Sequence, residues 1–537
     1  LWGDSRAGQF GFNDVGTGRG FGVAALLLGW VNTASVNTGF TSARMNYFAA
    51  YIQDDWKVTP RLTLNLGLRW DMDTPRSEKN NAQTGFDPFA INPVSRTPGI
   101  ITYAGRDGVS VYAHRFDRNN IGPRFGFAYR PWDDKLILRG GYGLMYGAIY
   151  DDSITRANVV GFGDVRQFQS SDNGITPAFL LRNGVASPPT DPLGPGFGAV
   201  PVGTAPRISP DFYNADQQMP YAHHINFSVQ RQIAGTLLIE AAYTANLGHR
   251  ISGRATNVNE IRPERRGVRQ DQSLRPFPQY ANVMLRANNW GNSSYHGLNL
   301  KAEKRFSKGL NLSSNYTWSK FLDDVQSAAD AGGAGAQSYH ARQLDKSYSG
   351  NDIRHRWVSS AVYELPVGHG RALSVPSGWI DQAIGGWSLG VISELRTGLP
   401  FGVVEQTNRL NAFSSTQRPN LTGPWSLSGD RSRADMISRY FNPNAFTFPG
   451  DGVLGTAARN IGAGPGSVGI DLSLLKDFSI RERMTLQFRG EFFSILNRPN
   501  FGLPNGARGA AAFGTIAGAS GARKTVSTQG APTAAAA

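Results

Sequence analysis

The chain contains no cysteine among its 537 residues, which excludes a disulfide framework and any zinc site built on thiolates. Charged residues make up only 18% of the sequence, so its composition does not resemble that of a set of soluble domains. Long apolar runs are also missing. The longest, FGVAALLLGWV (21–31), is too short to cross a bilayer as a helix, which takes about 20 residues. The remaining membrane option is a β-barrel, whose signal is weak in each strand and is read by summing strands.

The positive charge does not indicate a nucleic-acid partner. The formal net charge is +14, but lysine and arginine are scattered along the chain. Their densest cluster, RPERRGVR (262–269), lies in a stretch that reads as a loop. No element presents a basic stripe of the kind that tracks a phosphate backbone, and we expect no nucleic-acid binding.

Short segments of alternating apolar and polar residues are abundant. In RLTLNLGLRWD (61–71), the leucines and Trp70 share one parity, while Thr63, Asn65 and Arg69 share the other. This alternation predicts a β-strand with one apolar and one polar face. Glycine is frequent at 64 residues and aromatic residues reach 11%, as in all-β proteins with many turns.

The same pattern recurs in twelve segments that form six hairpins. Most turns within a hairpin are about two to five residues long, whereas the connections between hairpins run for roughly 30 to 75 residues. Long connections on one side only are typical of outer-membrane barrels, which have short periplasmic turns and long extracellular loops. The predicted strands are 44–56, 61–71, 123–132, 135–147, 223–233, 235–245, 295–306, 309–321, 354–366, 384–398, 468–478 and 483–496.

Strand length and face composition favour lipid over a soluble core. Most of the predicted strands run ten to thirteen residues, long enough to span an apolar band of about 25 Å when tilted. The polar faces carry the Thr, Asn, Gln, Arg and Glu side chains expected of a lumen. Aromatic residues near strand ends, expected as interface girdles, are Trp56, Trp70, Tyr146, Trp318, Trp357 and Phe493.

Charged residues on the polar faces are the candidate ligand-binding groups. They could attract an anionic ligand by focusing potential in a low-dielectric pore. The alternative interpretation, which we favour, is that they pair with Glu240, Glu303 and Glu491 or with a plug. The lumen-facing candidates are Arg69, Arg139, Lys301, Arg305, Arg489 and Glu491.

Other motifs give no enzymatic function. The glycine-rich stretches at 16–22 and 462–469 resemble phosphate loops only superficially, because such a loop must follow a strand and open a helix. The second stretch instead precedes a strand and contains Pro465, and we expect both stretches to be flexible loops. His223 and His224 point to opposite faces of a strand and cannot hold one metal together. The acidic stretch 323–335 lacks the spacing of a known calcium loop. We therefore expect no catalytic residues, no metal site and no cofactor.

Four segments resemble the barrel of TonB-dependent outer-membrane receptors, and in particular the large Oar-like group. They are YIQDDWKVTPRLTLNLGLRWD, NIGPRFGFAYRPW, YHGLNLKAEKRFSKGLNLSSNYTWSKFLDD and LQFRGEFFSILNRPNFGLP. The resemblance implies an all-β fold, a transmembrane antiparallel β-barrel of 22 strands of which about twelve are visible. It also implies a plug and a TonB box that couple the barrel to the inner-membrane energy machinery.

The same resemblance implies location in the outer membrane of a Gram-negative bacterium, contact with lipid and lipopolysaccharide, and a monomeric barrel. The expected function is import of a scarce ligand such as an iron chelate, cobalamin or a glycan. Two alternatives stay open: a surface adhesion or display protein built on the same barrel, and a soluble protein of several β-sheets. The expected division is a loop-like segment at 1–43, the barrel at 44–516 and a low-complexity tail at 517–537. No plug is assignable and no closing strand is recognisable, so we expect a truncated barrel.

Overall fold

In the computed structural model, most of the chain's long strands belong to one large antiparallel sheet. A smaller part of the chain forms short strands and helices in the connections. The residues that the structure describes are 9–12, 22–37, 42–149, 160–162, 165–169, 176–184, 193–253, 255–307, 309–325, 336–376, 378–414, 416–481, 484–520, 527–528 and 532–534.

All twelve predicted strands are present in this sheet, and a short thirteenth strand follows them. Each strand pairs with its neighbours in chain order, and every pairing along this path is antiparallel. The strands are β1 (Tyr47–Thr59), β2 (Leu62–Asp73), β3 (Asn120–Tyr129), β4 (Leu136–Tyr146), β5 (Tyr221–Ala234), β6 (Leu237–Ile251), β7 (Gly291–Ser307), β8 (Leu310–Asp323), β9 (His355–Glu364), β10 (Trp387–Arg396), β11 (Ser467–Arg481), β12 (Met484–Phe492) and β13 (Ser527–Thr528).

Short and long connections alternate as predicted, although the β9–β10 connection on the short side, residues 365–386, is longer than the other turns. The hairpin β7–β8 turns at Gly309, whose positive φ of 78° is a conformation that glycine adopts without strain. We call the side of the sheet with these turns the turn edge and the opposite side the loop edge. The connections at the loop edge are 74–119, 147–220, 252–290, 324–354, 397–466 and 493–526.

The register places apolar residues of successive strands side by side on one face. On β2, Leu66 lies opposite Phe125 of β3, and Leu68 lies opposite Ile52 of β1. Because side chains alternate between faces, the opposite face carries Asn65 and the other polar residues. We call the two the apolar face and the polar face. Large exposed side chains of the apolar face include Ile52, Trp56, Leu68, Phe125, Phe227, Ile239, Tyr243, Leu300, Trp318, Trp357, Leu486 and Phe488.

The buried apolar residues lie mainly in the long connections, which pack into what we call the loop layer. One cluster joins Phe86, Phe277 and Tyr280 from two of these connections, with the rings of Phe86 and Phe277 5.0 Å apart. Another cluster forms around Phe401 and Phe441. The sequence predicts these stretches only as polar loops, whereas the structure shows that they also bury apolar side chains. The sheet therefore exposes its apolar face, and the buried apolar clusters lie in the connections. A soluble β-protein has the opposite arrangement, because it buries the apolar face of its sheet.

Short elements organise the loop layer and the remaining connections. The helices are α1 (Gly22–Leu27), α2 (Trp379–Ile384) and α3 (Arg433–Ser438), with 3₁₀ turns at Leu181–Asn183, Pro263–Arg265, Gln272–Leu274, Tyr339–Asp345 and Pro443–Ala445. The longest additional strands, Thr84–Ile91 and Pro98–Tyr103, form a hairpin. The others are Gln9–Gly11, Trp30–Val31, Thr33–Asn37, Ala43–Arg44, Ser77–Glu78, Val165–Gln169, Phe179–Leu180, Asp211–Tyr213, Thr256–Asn257, Met284–Arg286, Ser347–Tyr348, Pro400–Phe401, Val404–Glu405, Asn420–Leu421, Phe446–Thr447, Gly462–Ala463, Asn500–Phe501, Ala507–Arg508, Ala519–Ser520 and Pro532–Ala534.

Candidate functional site

A pocket of about 380 Å³ lies in the loop layer, close to where β6 and β8 end. Its walls come from three long connections: β6–β7, β8–β9 and β10–β11. Amide, carboxylate, guanidinium and aromatic groups all contribute to the lining. We call it the loop pocket, and its lining includes Asn257, Asn282, Trp290, Tyr339, Arg342 and Phe413.

An arginine stacked on an indole forms one wall of the loop pocket. The guanidinium carbon of Arg342 lies 4.1 Å from the centroid of the Trp290 ring, within the range of a cation–π contact. Arg342 also donates a hydrogen bond of 3.2 Å from Nη2 to the Trp290 carbonyl oxygen. The Tyr339 ring lies 5.8 Å from the Trp290 ring. This wall can therefore offer both flat apolar surface and hydrogen-bond donors to a ligand.

A buried carboxyl group, Glu260, fixes the segment that carries Tyr339. Its Oε2 accepts 2.7 Å and 3.0 Å hydrogen bonds from the Ser338 hydroxyl and the Tyr339 backbone N–H. The hydroxyl of Ser338 in turn accepts a hydrogen bond from Arg266. Glu260 is only 5% exposed, and this burial raises its pKa to about 7. The carboxyl group therefore changes charge within the physiological pH range.

Two buried ion pairs hold the β10–β11 connection to the end of β8 and to the β8–β9 connection. The guanidinium of Arg418 is fully buried and lies 3.2 Å from Oδ1 of Asp345. Arg459, also buried, pairs with Asp323 at the last position of β8. Burial raises the pKa of Asp345 to about 6, although Arg418 opposes the rise. These pairs join segments that are distant in sequence.

We expect Glu260→Gln to remove a pH dependence from the stability of this region. A carboxyl group whose folded pKa lies above its unfolded value stabilises the fold fully below the unfolded pKa, and that stability is lost as pH rises to about 7. In the wild type, the amides of residues 336–345 should therefore exchange faster at pH 8 than at pH 5, after correction for intrinsic rates. In the variant, the Glu260 contribution to this difference should be absent.

Hydrogen exchange followed by mass spectrometry measures this difference, and Glu264→Gln serves as the matched control. Glu264 is an exposed carboxylate in the same connection, so its replacement should leave the pH dependence as in the wild type. An unchanged pH dependence in Glu260→Gln would show that this carboxyl group does not set the stability of the segment.

The register places five of the six sequence-predicted candidates on the polar face of the sheet, and the sixth, Arg305, lies in the irregular end of β7 between Lys304 and Ser307. Lys301 lies opposite Glu240 and Asn315, and Arg489 lies opposite Leu475. The candidates are spread over four strands, β2, β4, β7 and β12, and they do not line the loop pocket. These residues are Arg69, Arg139, Lys301, Arg305, Arg489 and Glu491.

Several of these candidates pair locally, in line with the alternative interpretation. Lys301 contacts Glu303 at 2.9 Å, and Arg489 contacts Glu491 at 2.5 Å. The pairing of Arg69 differs from the prediction, because its partner is Asp71, two residues along the same strand and 2.8 Å away. Arg139 donates a hydrogen bond to Gln230. Their role in ligand binding stays a prediction.

Sequence reasoning selected no residue of the loop pocket as a ligand-binding candidate, although the acidic stretch 323–335 contains Asp324 and Val325 of its lining. The key contacts of the pocket, such as Arg342 on Trp290, join residues that no local periodicity relates. One signal for the loop layer was available. Short apolar stretches interrupt the polar composition of the predicted loops, as in GIITYA (99–104), and they supply the buried Ile101 and Tyr103.

Other sequence motifs contribute little to this site. Within the described ranges there is no group of three or more His, Asp or Glu residues arranged to hold a metal ion. Most of the acidic stretch 323–335 and of the glycine-rich stretch 16–22 lies outside the described residues. None of the helices that the structure describes is long and apolar enough to cross a membrane.

Comparison with protein families gives one match. The family model described as "Outer membrane beta barrel domain" matches residues 2–526, which is nearly the whole chain. A search of curated proteins found no match.

Comparison with solved structures gives several similar folds at low identity. The FrpB iron transporter from Neisseria meningitidis is 10% identical, with a TM-score of 0.41, over 89% of this chain and 45% of that one. The siderophore receptor PiuA from Acinetobacter baumannii is 10% identical, with a TM-score of 0.40, over 93% and 43%. The ferric-catecholate import receptor Fiu from E. coli K12 is 10% identical, with a TM-score of 0.41, over 92% and 45%. This chain spans less than half the length of each of these proteins.

Proposed function

Because this chain belongs to the outer membrane beta barrel domain family, we propose that it forms the barrel portion of an outer-membrane importer that captures its ligand at the loop edge. The family match confirms the predicted outer-membrane location and the predicted fold class, a transmembrane antiparallel β-barrel. The apolar face accordingly meets lipid, the polar face lines the lumen, and the loop edge is extracellular.

The loop pocket is the observation that supports capture. A passive pore does not need extracellular connections that pack against one another. In this protein, three connections fold around a pocket of about 380 Å³. That size and the mixture of aromatic and polar walls suit a small molecule. The ligand classes we propose are an iron chelate, cobalamin or a glycan. Energy would come from the inner membrane through a TonB-type system acting on a plug, as the sequence resemblance implies.

Uptake measurements on cells that produce the protein from its full open reading frame test this proposal. The probes are radiolabelled ferric catecholate, cyanocobalamin and a maltooligosaccharide, each with and without a protonophore. The proposal predicts that one probe accumulates and that the protonophore abolishes accumulation while leaving surface binding. Accumulation that persists without a proton gradient would indicate a passive pore, and binding without accumulation would indicate a display protein.

Trp290→Ala is expected to weaken surface binding of the accumulating probe by about tenfold or more, because it removes both the ring and the platform under Arg342. Phe448→Ala is the matched control. Its ring carries a similar stacked arginine, Arg409, at 4.8 Å, but it does not line the loop pocket. Equal binding by both variants would place the ligand elsewhere.

A further inference from the structure

A second pocket in the loop layer, of about 450 Å³, lies against the hairpin formed by Thr84–Ile91 and Pro98–Tyr103. Its other walls are residues 109–116 and 213–215, so the β2–β3 and β4–β5 connections build it. It shares no lining residue with the loop pocket. We call it the hairpin pocket, and its lining includes Gln83, Gly85, Thr102, Tyr112, Phe116 and Tyr213.

One face of the hairpin forms the floor of this pocket. Gly85 pairs with Thr102 across the two strands. Because side chains alternate between the faces of a strand, Gln83 and Ala104 share their face, and all four residues line the pocket. A β-carbon on Gly85 would lie 2.7 Å from the Thr102 hydroxyl oxygen. The glycine therefore leaves this hydroxyl group uncovered.

Two polar groups on this floor lack a hydrogen-bond partner. Gln83 is only 2% exposed, and its Oε1 accepts a hydrogen bond from Arg76. Its Nε2 makes no hydrogen bond within the part of the chain that the structure describes, and neither does the Thr102 hydroxyl group. Buried polar groups are nearly always hydrogen-bonded. The floor is therefore suited to a ligand that supplies the missing hydrogen bonds.

The lining offers no unpaired charge to such a ligand. No aspartate or glutamate occurs among the described lining residues. Arg115 lines the pocket, but its charge is balanced by an ion pair with Asp216. Burial lowers the pKa of His114, which keeps this ring neutral at pH 7. A charged ligand would therefore find no unpaired counter-charge, whereas a neutral ligand needs none.

Aromatic side chains supply the apolar part of the lining. The rings of Tyr112 and Phe116 lie 5.0 Å apart, edge to face, and Tyr112 is 40% exposed. A sugar matches this combination, because its hydroxyl groups donate and accept hydrogen bonds and the C–H face of its ring packs on aromatic surface. The volume of about 450 Å³ lies toward the lower end of the range for small-molecule sites and accommodates one or two sugar rings.

We propose that the hairpin pocket binds a neutral sugar unit, with Gln83 and Thr102 hydrogen-bonded to its hydroxyl groups and its ring packed on Tyr112. The unit belongs to a free oligosaccharide or to the end of a polysaccharide, which present the same hydroxyl groups. Because the pocket is separate from the loop pocket, it recognises glycans on the extracellular side whether the chain imports a ligand or only displays its loops. A failure of import would therefore leave this inference standing.

Binding of the protein, purified from its full open reading frame, to an array of neutral and anionic oligosaccharides tests the proposal. We expect the bound glycans to be neutral, and calorimetry then measures the affinity of the strongest one. Thr102→Val should weaken its binding by about fivefold or more, because the change removes the hydroxyl group at nearly constant volume. Gly85→Ala should also weaken binding, because its methyl group covers that hydroxyl group. Thr204→Val is the matched control, since Thr204 is exposed in the β4–β5 connection and lines neither pocket.

Hydrogen exchange locates the bound oligosaccharide and shows that each variant is folded. The ligand should protect amides of residues 83–87 and 101–104, and Thr102→Val without ligand should exchange as the wild type does. Comparing the free oligosaccharide with the polysaccharide that contains it identifies the source of the unit, and preference for either supports the site. Binding of anionic glycans only, binding of none, or equal affinity in Thr102→Val and the wild type would overturn the proposal. A larger loss in Trp290→Ala than in Thr102→Val would assign the sugar to the loop pocket instead.

Discussion

Leu300→Arg is expected to lower the free energy of folding into a bilayer by about 2–4 kcal/mol, the cost of placing a cation near the lipid midplane of a barrel. Leu300 lies near the middle of β7, and its side chain is 42% exposed on the lipid-facing side. Its cross-strand neighbours, Ala241 and Tyr316, offer no carboxylate to pair with the new charge.

Asn299→Arg is the matched control one residue away. Asn299 lies on the polar face, where it donates a hydrogen bond to the hydroxyl of Thr317, so an arginine there meets the lumen. Urea titration of the protein refolded into lipid vesicles measures both variants. Equal losses in the two would contradict the assignment of the faces.

Leu66→Arg is expected to cost less than Leu300→Arg, because the structure places a carboxylate beside it. Asp54 of β1 lies directly opposite Leu66 on the same face, where an introduced arginine can pair with it. The same titration applied to Leu66→Arg should show this smaller loss. Adding Asp54→Ala to Leu66→Arg should increase the loss of folding free energy toward the loss expected for Leu300→Arg.

Arg418→Ala is expected to destabilise the loop layer by about 3–5 kcal/mol, the usual effect of removing one partner of a buried ion pair. The guanidinium of Arg418 is fully buried and the Asp345 carboxylate is 5% exposed, so the remaining carboxylate would have little access to water. Hydrogen exchange of the long connections measures the loss.

The deficit of Arg418→Ala should depend on pH in a defined direction. Burial already raises the pKa of Asp345 to about 6, and removing its cationic partner should raise this pKa further. The deficit should therefore be largest near pH 8 and shrink as the carboxyl group becomes protonated. The double variant Arg418→Met/Asp345→Leu should be less destabilised than Arg418→Ala at pH 8. Equal losses would show that the packing of Arg418, and not its charge, matters.

The strands could be predicted from sequence because their signal is local. In β2 and β12, apolar and polar side chains alternate over most of the strand. Each face has a defined environment, and a shift of the strand by one residue would move every side chain to the wrong face. The pairing of the strands into hairpins could be predicted from the alternation of short and long connections. Strand ends shifted by a few residues, as at β1, predicted to begin at residue 44 and observed from Tyr47.

The loop layer could not be predicted in the same way, because its contacts join distant parts of the chain. Phe86 packs on Phe277, and Arg418 pairs with Asp345. Neither pair belongs to a repeating pattern. The loop pocket depends on such contacts throughout, so its residues were not selected as candidates, whereas the polar-face arginines and lysine were found because strand parity alone locates them.

Site-directed spin labelling along β7 tests the central claim most directly, and the lack of cysteine makes single labels at residues 297 to 303 straightforward to introduce. The protein, refolded in vesicles, is probed with oxygen, which concentrates in lipid, and with a water-soluble nickel chelate. We predict that labels at 298, 300 and 302 are more accessible to oxygen, and that labels at 297, 299, 301 and 303 are more accessible to the chelate. Accessibility that does not alternate, or alternates in the opposite phase, would contradict a lipid-facing apolar side.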